Sequence, residues 1–438
     1  MDILNFQTGA AGYNPSNFLE IKMKKITIIL IIGFCAILLL GRSQYIAQDT
    51  PSRVRSFTRG GEFDYVSWTL ESLKAKAVEL SVGIPRYLST RQKHDAVVRY
   101  SELVRELDSV SAEIRQIYAD PEVMDPETAA ANLLDKQKNL QQERSLLGPI
   151  AEATLQQQIS NVVKDMDLSF LGQPLPAVLF DVTPLPMAMI VSPRDAIRQD
   201  VNISLLPDIT LDEIDTLEEK VEDGLNVSAL VVPVGGIGMY PTMVMSSSDL
   251  PWLIETVSHE WIHNYLTLRP LGMNYDTSPE LRTMNETTAS IAGKEISEAV
   301  IARYYPEFVP PSAPESIDES DTAAPADYTP RFNFNREMHI TRVVADGLLA
   351  RGLIERAEKF MDDQQEVFWK NGYQIRKINQ AYFAFYGAYA DQPGGAAGED
   401  PVGPAVRALR ERSGGLSEFL KRIAGMTTFE QLTEAVGS

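Results

Sequence analysis

Cysteine and histidine are both scarce in this chain of 438 residues. The one cysteine, Cys35, lies inside an apolar run, so the chain cannot form an intramolecular disulfide. A fold without disulfides suits either a reducing compartment or a bacterial-type exported protein built without them. The chain has only four histidines, and two of these, His259 and His263, are four residues apart.

Basic residues are also few relative to acidic ones. Forty lysines and arginines stand against sixty aspartates and glutamates, which gives a formal net charge of −20. A chain with this charge repels phosphate backbones, so we exclude nucleic acid as a primary partner. With 44% hydrophobic residues, the chain can bury one large core or two to three smaller ones.

Only one long hydrophobic run is present, and it lies near the N-terminus. Residues 26–40 carry no charge and follow a cluster of three lysines at positions 22–25. The run is shorter than the roughly 20 residues that span a bilayer, but Gly41 and snorkelling side chains extend it. Because no convincing cleavage site follows, we predict a single-pass cell-membrane anchor over 26–41; a cleaved signal and secretion are the alternative. The lysines place the remainder outside the cytoplasm.

Helical patterns follow the N-terminal tail (1–25), the anchor or signal segment and a polar linker (42–62). Residues 63–166 predict an antiparallel helical hairpin, with apolar residues at alternating steps of three and four, as in a coiled coil. The dipeptide Gly148-Pro149 predicts a break in its second arm. The pattern favours a plain solvated hairpin; a spacer or an arm that binds a protein partner stays open as an alternative.

Short β-like runs occupy residues 177–245, bounded by proline, glycine and aspartate. An acidic helical stretch, 211–222, interrupts them. Gly235, Gly236 and Gly238 match neither the Walker nor the Rossmann spacing, so they predict a sharp turn into an edge strand and not a phosphate loop.

The paired histidines lie in a predicted helix that begins near Leu250 and ends at Pro270. At a spacing of four residues, both imidazoles leave one face of the helix, and two nitrogens can reach one tetrahedral zinc. Glu260 follows the first histidine, and its carboxylate can take a proton from a zinc-activated water that attacks a carbonyl. Two histidines packed in a helical core are the structural alternative.

A third metal ligand is predicted on the next helix, which starts at Ser278-Pro279. Glu286 shares one face of that helix with Ala289, Ser290 and Gly293, and small residues let two helices approach closely. A metzincin-type histidine is excluded, because position 269 holds an arginine. The sequence therefore predicts one zinc ion per chain, held by the two histidines and Glu286.

This region resembles the gluzincins, the thermolysin-like and aminopeptidase-like zinc metallopeptidases with His-Glu-x-x-His and a glutamate on a following helix. The resemblance covers residues 229–300 and rests on His259, Glu260, His263 and the pair Asn285-Glu286. It implies the same three ligands, Glu260 as the general base, and a two-lobed domain with zinc in its cleft. One departure is Ser290, which stands where thermolysin has an aspartate that orients a zinc ligand.

The resemblance also implies a substrate strand and a group that stabilises the transition state. A strand from position 238 to 244, including Gly238, Met239 and Tyr240, would pair with the backbone of an extended substrate. A tyrosine or histidine of the C-terminal part would stabilise the reacting oxygen. The candidates are His339, Tyr382, Tyr386 and Tyr389.

These observations predict an α+β, predominantly helical chain. A zinc-binding catalytic lobe (167–305) precedes a Pro-rich acidic insertion (306–335) and a C-terminal helical lobe (336–438), in which helices over 336–362 and 364–390 are followed by two short ones. The predicted function is zinc-dependent hydrolysis of a peptide or protein substrate at the membrane. The alternative is a non-catalytic scaffold that binds partners through the hairpin and keeps a relic or structural zinc site. Glu260 argues against it, because a structural site does not need this residue.

Overall fold

The computed structural model describes residues 49–310, 332–390 and 395–437. Within these residues α-helices predominate over small β-sheets, which confirms the prediction of an α+β, predominantly helical chain. No helix in the described ranges is both long and apolar enough to cross a membrane. The predicted anchor at 26–41 and most of the acidic insertion lie outside the described residues.

Along the described residues, four α-helices come first, then eight strands interrupted by one α-helix, and then helices to the C-terminal end. The helices are α1 (Thr50–Thr58), α2 (Tyr65–Val82), α3 (Thr90–Ala119), α4 (Pro126–Asp165), α5 (Leu211–Leu225), α6 (Leu250–Thr267), α7 (Pro270–Met273), α8 (Pro279–Tyr304), α9 (Phe334–Leu349), α10 (Ile354–Lys370), α11 (Gln380–Tyr386), α12 (Val402–Glu411), α13 (Leu416–Ile423) and α14 (Phe429–Gly437). The strands are β1 (Ser169–Phe170), β2 (Gln173–Pro174), β3 (Phe180–Val182), β4 (Met187–Pro193), β5 (Val201–Leu205), β6 (Val227–Pro233), β7 (Gly236–Ile237) and β8 (Thr242–Val244).

Helices α3 and α4 pack against each other as an antiparallel hairpin. Near its open end Arg99 donates to Glu143 at 3.0 Å, and nearer the turn Gln137 donates to Ser111 at 2.9 Å. A capping box at Ser89 starts α3, and apolar side chains fill the seam between the two helices. The alternating three- and four-residue spacing therefore marks the face along which the two helices meet.

The second arm is continuous, so the predicted break at Gly148-Pro149 is wrong. Helix α4 passes through Pro149 and then buries Ala151, Leu155 and Ile159 in the main core. A proline inside a helix costs about 3 kcal/mol. Burial of large apolar side chains contributes roughly 1.5–3 kcal/mol each, so the tertiary packing of this face outweighs the lost hydrogen bond.

An antiparallel sheet in the order β5-β4-β6 lies between two helical layers. In register, Met189 of β4 faces Ile203 of β5 and Val231 of β6. One face of the sheet packs on α5, and the other packs on α9, α10 and α11. Because both faces are covered, β4 and β6 are largely apolar and show no alternation of buried and exposed residues.

The main core, almost entirely helical, holds the helices that carry the predicted ligands. It joins α6 and α8 to the lower half of α4 and to α12, α13 and α14. Beside it lies a sheet in the order β3-β8-β7, with β3 parallel to β8 and β7 at the edge. The predicted ligands therefore lie where this helical core meets the sheets.

The C-terminal helices differ from the prediction in number and position. Helix α9 ends at Leu349, and Gly352, with a φ of 70°, makes the turn into α10. A further break separates α10 from α11, and three helices close the chain where two were predicted. The left-handed glycine marks the turn where a continuous helical pattern over 336–362 was expected.

A buried ion pair between α2 and α4 provides a test of this packing. Lys76 is 3% exposed and pairs with Glu152, which is 8% exposed, and with Glu79 at 3.0 Å. Lys76→Met leaves Glu152 buried without this cation, so we expect the free energy of unfolding in urea to fall by about 3 kcal/mol.

Lys74→Met, on the exposed face of the same helix, is the matched control and should change stability by no more than about 0.5 kcal/mol. The double variant Lys76→Met, Glu152→Met should recover part of the loss, because Glu152 is then no longer a buried carboxylate without a cation, although Glu79 still lacks its partner. Equal stability of the two single variants would show that the ion pair does not hold α2 in place.

Candidate metal centre

Helix α6 presents both histidines from one face because its other face is anchored in the core. Asp249 caps the helix by accepting from the Trp252 N–H at 3.0 Å, and Pro251 lies in its first turn. Buried apolar side chains hold the core face: Leu253, Ile254, Val257, Trp261, Ile262 and Leu266. His259 and His263 therefore project together from the opposite side, one turn apart.

Helix α8 brings Glu286 to the histidines by packing closely on α6. Ser278 caps α8 by accepting from the Leu281 N–H at 3.3 Å. Ala289 and Ala292 are fully buried, and a Cβ added to Gly293 would lie 2.9 Å from the Cα and the backbone nitrogen of His259. Only glycine fits at this crossing, so the predicted small face is the contact between the two helices.

The three predicted ligands form a compact triangle. The Nε2 atoms of His259 and His263 are 3.0 Å apart. Glu286 Oε2 lies 3.5 Å from the first of these nitrogens and 3.4 Å from the second. A tetrahedral zinc with bonds of about 2.0–2.1 Å requires ligand atoms separated by roughly 3.3 Å, so the spacing fits.

Glu286 Oε2 is the clearest sign that the triangle suits a cation. The residue is 4% exposed, and this oxygen is buried without a hydrogen-bond partner among the described residues. A buried carboxylate oxygen without a partner is costly unless a cation compensates it. The triangle therefore fits zinc by its geometry and by its donor set of two imidazoles and one carboxylate.

The other polar atom of two ligands is already engaged. His263 Nδ1 lies 2.8 Å from Asn285 Oδ1, which fixes the ring orientation and leaves Nε2 to face the triangle. Tyr275 donates its hydroxyl proton to Glu286 Oε1 in a short hydrogen bond. Asn285 thus orients one predicted ligand, a role that an aspartate at the position of Ser290 has in thermolysin.

The charges of the centre favour a positive ion between these side chains. Burial lowers the pKa of His263, but the Glu286 carboxylate outweighs this effect and raises the pKa to about 9. Burial raises the pKa of Glu286, but His263 and His259 outweigh this effect and hold the pKa well below its usual range. A metal ion therefore competes with a proton for the same position.

Glu260 lies outside the triangle, under a glycine-rich segment. It is 8% exposed, and burial raises its pKa, an effect that the two imidazoles only partly offset. A Cβ on Gly236 would lie 2.7 Å from Glu260 Oε1, and one on Gly238 would lie 2.8 Å from His263 Cβ. These glycines let the backbone pass directly over Glu260 and His263, which explains their clustering at 235–238.

The strand predicted over 238–244 is only partly a strand: its end, Thr242–Val244, is the inner strand β8, and the edge strand β7 lies before it in the chain. Strand β7 is Gly236–Ile237, whereas Gly238, Met239 and Tyr240 form the turn that leads into β8. Pro241 has no N–H to continue a ladder, and the Asn264 side chain binds the Met239 carbonyl at 2.9 Å. Of the three predicted strand residues, Gly238 lines the cleft beside the triangle.

The candidates for stabilising a transition state are placed in different parts of the molecule. His339 lines a separate cavity of about 550 Å³ and lies 3.4 Å from Glu399. Tyr382 packs on Tyr386 with ring centroids 4.6 Å apart, and only Tyr386 lines the cleft. Tyr389 also lines the cleft, and its ring lies 6.3 Å from that of His259.

The triangle opens into a cleft of about 820 Å³. Two of its polar residues, Tyr275 and Arg282, were not singled out from the sequence. Arg282 lies one turn before Glu286 on α8, a spacing of four residues that was available as a signal. Tyr275 lies between α7 and α8, where no periodicity marks it.

In comparisons with protein-family models, curated proteins and solved structures, the chain matches none.

Gly293 allows a direct test of the helix crossing. We expect Gly293→Ala to lower the free energy of unfolding by about 1–3 kcal/mol, because the new methyl group must push α8 away from α6. Zinc affinity should fall with it, since Glu286 moves with α8. Urea unfolding and zinc competition with a chromophoric chelator measure the two effects.

Gly347→Ala is the matched control. Gly347 lies inside α9 with no atom near an added Cβ, so alanine should stabilise the helix by up to about 1 kcal/mol. A Gly293→Ala chain that unfolds and binds zinc like the parent would contradict the close packing of α6 on α8.

Proposed function

We propose that the chain is a zinc-dependent peptidase of the gluzincin type, with His259, His263 and Glu286 as the metal ligands. The observation that carries this proposal is the buried, unpartnered Glu286 Oε2 facing two imidazole nitrogens, with a second buried carboxylate, Glu260, beside the triangle. A purely structural site would need the three ligands but not Glu260. The combination therefore favours catalysis over a scaffold.

Glu260 has the position and the proton affinity of a general base. When bound, zinc supplies a Lewis acid and lowers the pKa of water. Glu260 follows His259 on α6 and is buried at the cleft, where its raised pKa suits a group that accepts a proton from water. The same carboxyl group can then return the proton to the leaving nitrogen of the peptide bond.

Tyr389 is the candidate best placed to donate a hydrogen bond to the substrate carbonyl. Although the residue is 38% exposed, burial around its hydroxyl and the charge of Glu286 raise its pKa well above the usual range. The phenol therefore keeps its proton and can act as a donor. The Tyr275 hydroxyl is already committed to Glu286.

Strand β7 offers a backbone edge for an extended peptide. It is the outer strand in the order β3-β8-β7, and Gly236 and Ile237 line the same cleft as the metal centre. An added strand at such an edge gains main-chain hydrogen bonds without requiring particular side chains. We propose that the peptide substrate binds here, and that residues 26–41 tether the enzyme with its cleft outside the cytoplasm.

The first test is the metal content of the purified protein. We expect one zinc per chain, removed by chelation, because two imidazoles and a carboxylate complete a three-ligand protein site. His259→Ala and Glu286→Gln should each lower zinc occupancy sharply, as measured by elemental analysis after dialysis. His339→Ala is the control, since His339 lies in a separate cavity. Stoichiometric zinc in a His259→Ala, His263→Ala chain would refute the ligand assignment.

The second test separates catalysis from metal binding. Glu260→Gln keeps the size of the side chain but removes its basicity, so zinc content and folding should match the parent. Turnover of a peptide found in a cleavage library should fall on the order of 10²–10⁴-fold. Glu280→Gln, at an exposed position in the first turn of α8, serves as the control with unchanged turnover. Equal rates for Glu260→Gln and the parent would rule out this residue as the base.

A further inference from the structure

Arg282 is a buried cation that lines the cleft without an ion-pair partner. It is 8% exposed; its Nε donates to the Tyr275 hydroxyl at 3.3 Å, and its Nη1 donates to the Ala384 carbonyl at 2.8 Å. Within residues 49–310, 332–390 and 395–437, Nη2 has no hydrogen-bond acceptor and no carboxylate forms an ion pair with the guanidinium. Both acceptors are neutral, so no carboxylate in the described residues contacts the guanidinium directly, and Glu286 acts on its charge only at a distance.

The charges of the metal centre do not neutralise this arginine. Glu286 is the nearest carboxylate, reached through the Tyr275 hydroxyl, but it already faces both imidazoles. With a divalent ion in the triangle, Glu286 faces the metal, and less of its charge acts on Arg282. Asp276 also lines the cleft but forms no ion pair with Arg282 among the described residues. A buried, unpaired guanidinium is costly, so an anionic group from a ligand would be favourable at this position.

We propose that Arg282 binds a carboxylate of the substrate, a role that rests on the proposed peptidase function. The two nitrogens already engaged fix the planar guanidinium, and its fork geometry suits a carboxylate. Phe385, Tyr386 and Tyr389 line the neighbouring wall of the cleft, so an apolar or aromatic residue fits beside the carboxylate.

The position of Arg282 limits how far the carboxylate lies from the cleaved bond. Only the Tyr275 hydroxyl separates the guanidinium from Glu286. One peptide residue spans at most about 3.6 Å, so the carboxylate belongs within one or two residues of the bond that is cleaved. It comes from the free C-terminus of the substrate or from an aspartate or glutamate side chain near that bond.

Binding of three small probes to the full chain tests the proposal. The probes are acetyl-Phe-Phe with a free carboxylate, acetyl-Phe-Phe-amide and acetyl-Phe-Glu-amide, titrated by calorimetry or ligand-observed NMR against the chelated and the zinc-loaded protein. At least one of the two carboxylate probes should bind roughly tenfold or more tightly than acetyl-Phe-Phe-amide, as expected for a charge-assisted hydrogen bond. Preference for the free acid identifies the C-terminus as the source, and preference for the glutamate probe identifies a side chain.

The variants assign the preference to one residue. Arg282→Gln should abolish the difference in binding affinity between the carboxylate and amide probes, whereas Arg282→Lys should keep part of this difference. Arg336→Gln, at an exposed arginine of the separate cavity, should leave it unchanged. The comparison of the probes on the unmutated chain needs no variant to fold.

The outcomes separate this proposal from the peptidase function. If neither carboxylate probe is preferred in either metal state, or if the preference survives in a folded Arg282→Gln chain, the role of Arg282 is wrong even if the protein cleaves peptides. If the preference depends on Arg282 but no peptide is cleaved, the carboxylate site stands and the peptidase proposal fails.

Discussion

The close crossing of α6 and α8 is the constraint on which the metal centre depends. Gly293 meets the backbone of His259, so the two helices are as near as their main chains allow. Glu286 lies two turns earlier on α8, and its carboxylate therefore reaches the imidazoles of the neighbouring helix. Capping residues fix where both helices begin. They therefore also fix the helical turn from which each predicted ligand projects.

Around this crossing, two of the three predicted ligands each have one polar atom held by a neighbouring side chain, and their second polar atom faces the triangle. Asn285 engages one nitrogen of His263, and Tyr275 engages one oxygen of Glu286. The remaining nitrogen and oxygen point to the triangle. Arg282, which contacts Tyr275, is held in a similar way: two of its nitrogens donate hydrogen bonds, and the third has no partner among the described residues. Both proposals, zinc at the triangle and a substrate carboxylate at Arg282, rest on these atoms without a partner.

The elements that could be predicted from the sequence are those governed by local rules. Asp249, Ser278 and the four-residue spacing of the histidines define the ligand helices, because capping and helical periodicity act within a few residues. Pro149 was misjudged because contacts with distant helices outweigh its local cost. The strand predicted over 238–244 begins with a turn, since Asn264, from another element, binds the Met239 carbonyl, and the edge strand precedes this turn. Tyr275 was missed because only the folded chain brings its hydroxyl to Glu286.

The central claim is that His259, His263 and Glu286 together hold one zinc ion beside Glu260. Anomalous diffraction from a crystal of the zinc-loaded protein, recorded on both sides of the zinc absorption edge, tests this claim most directly. We expect a single strong peak within the triangle, about 2.0–2.2 Å from both Nε2 atoms and Glu286 Oε2. A crystal with zinc bound elsewhere and no peak between these three side chains would contradict it.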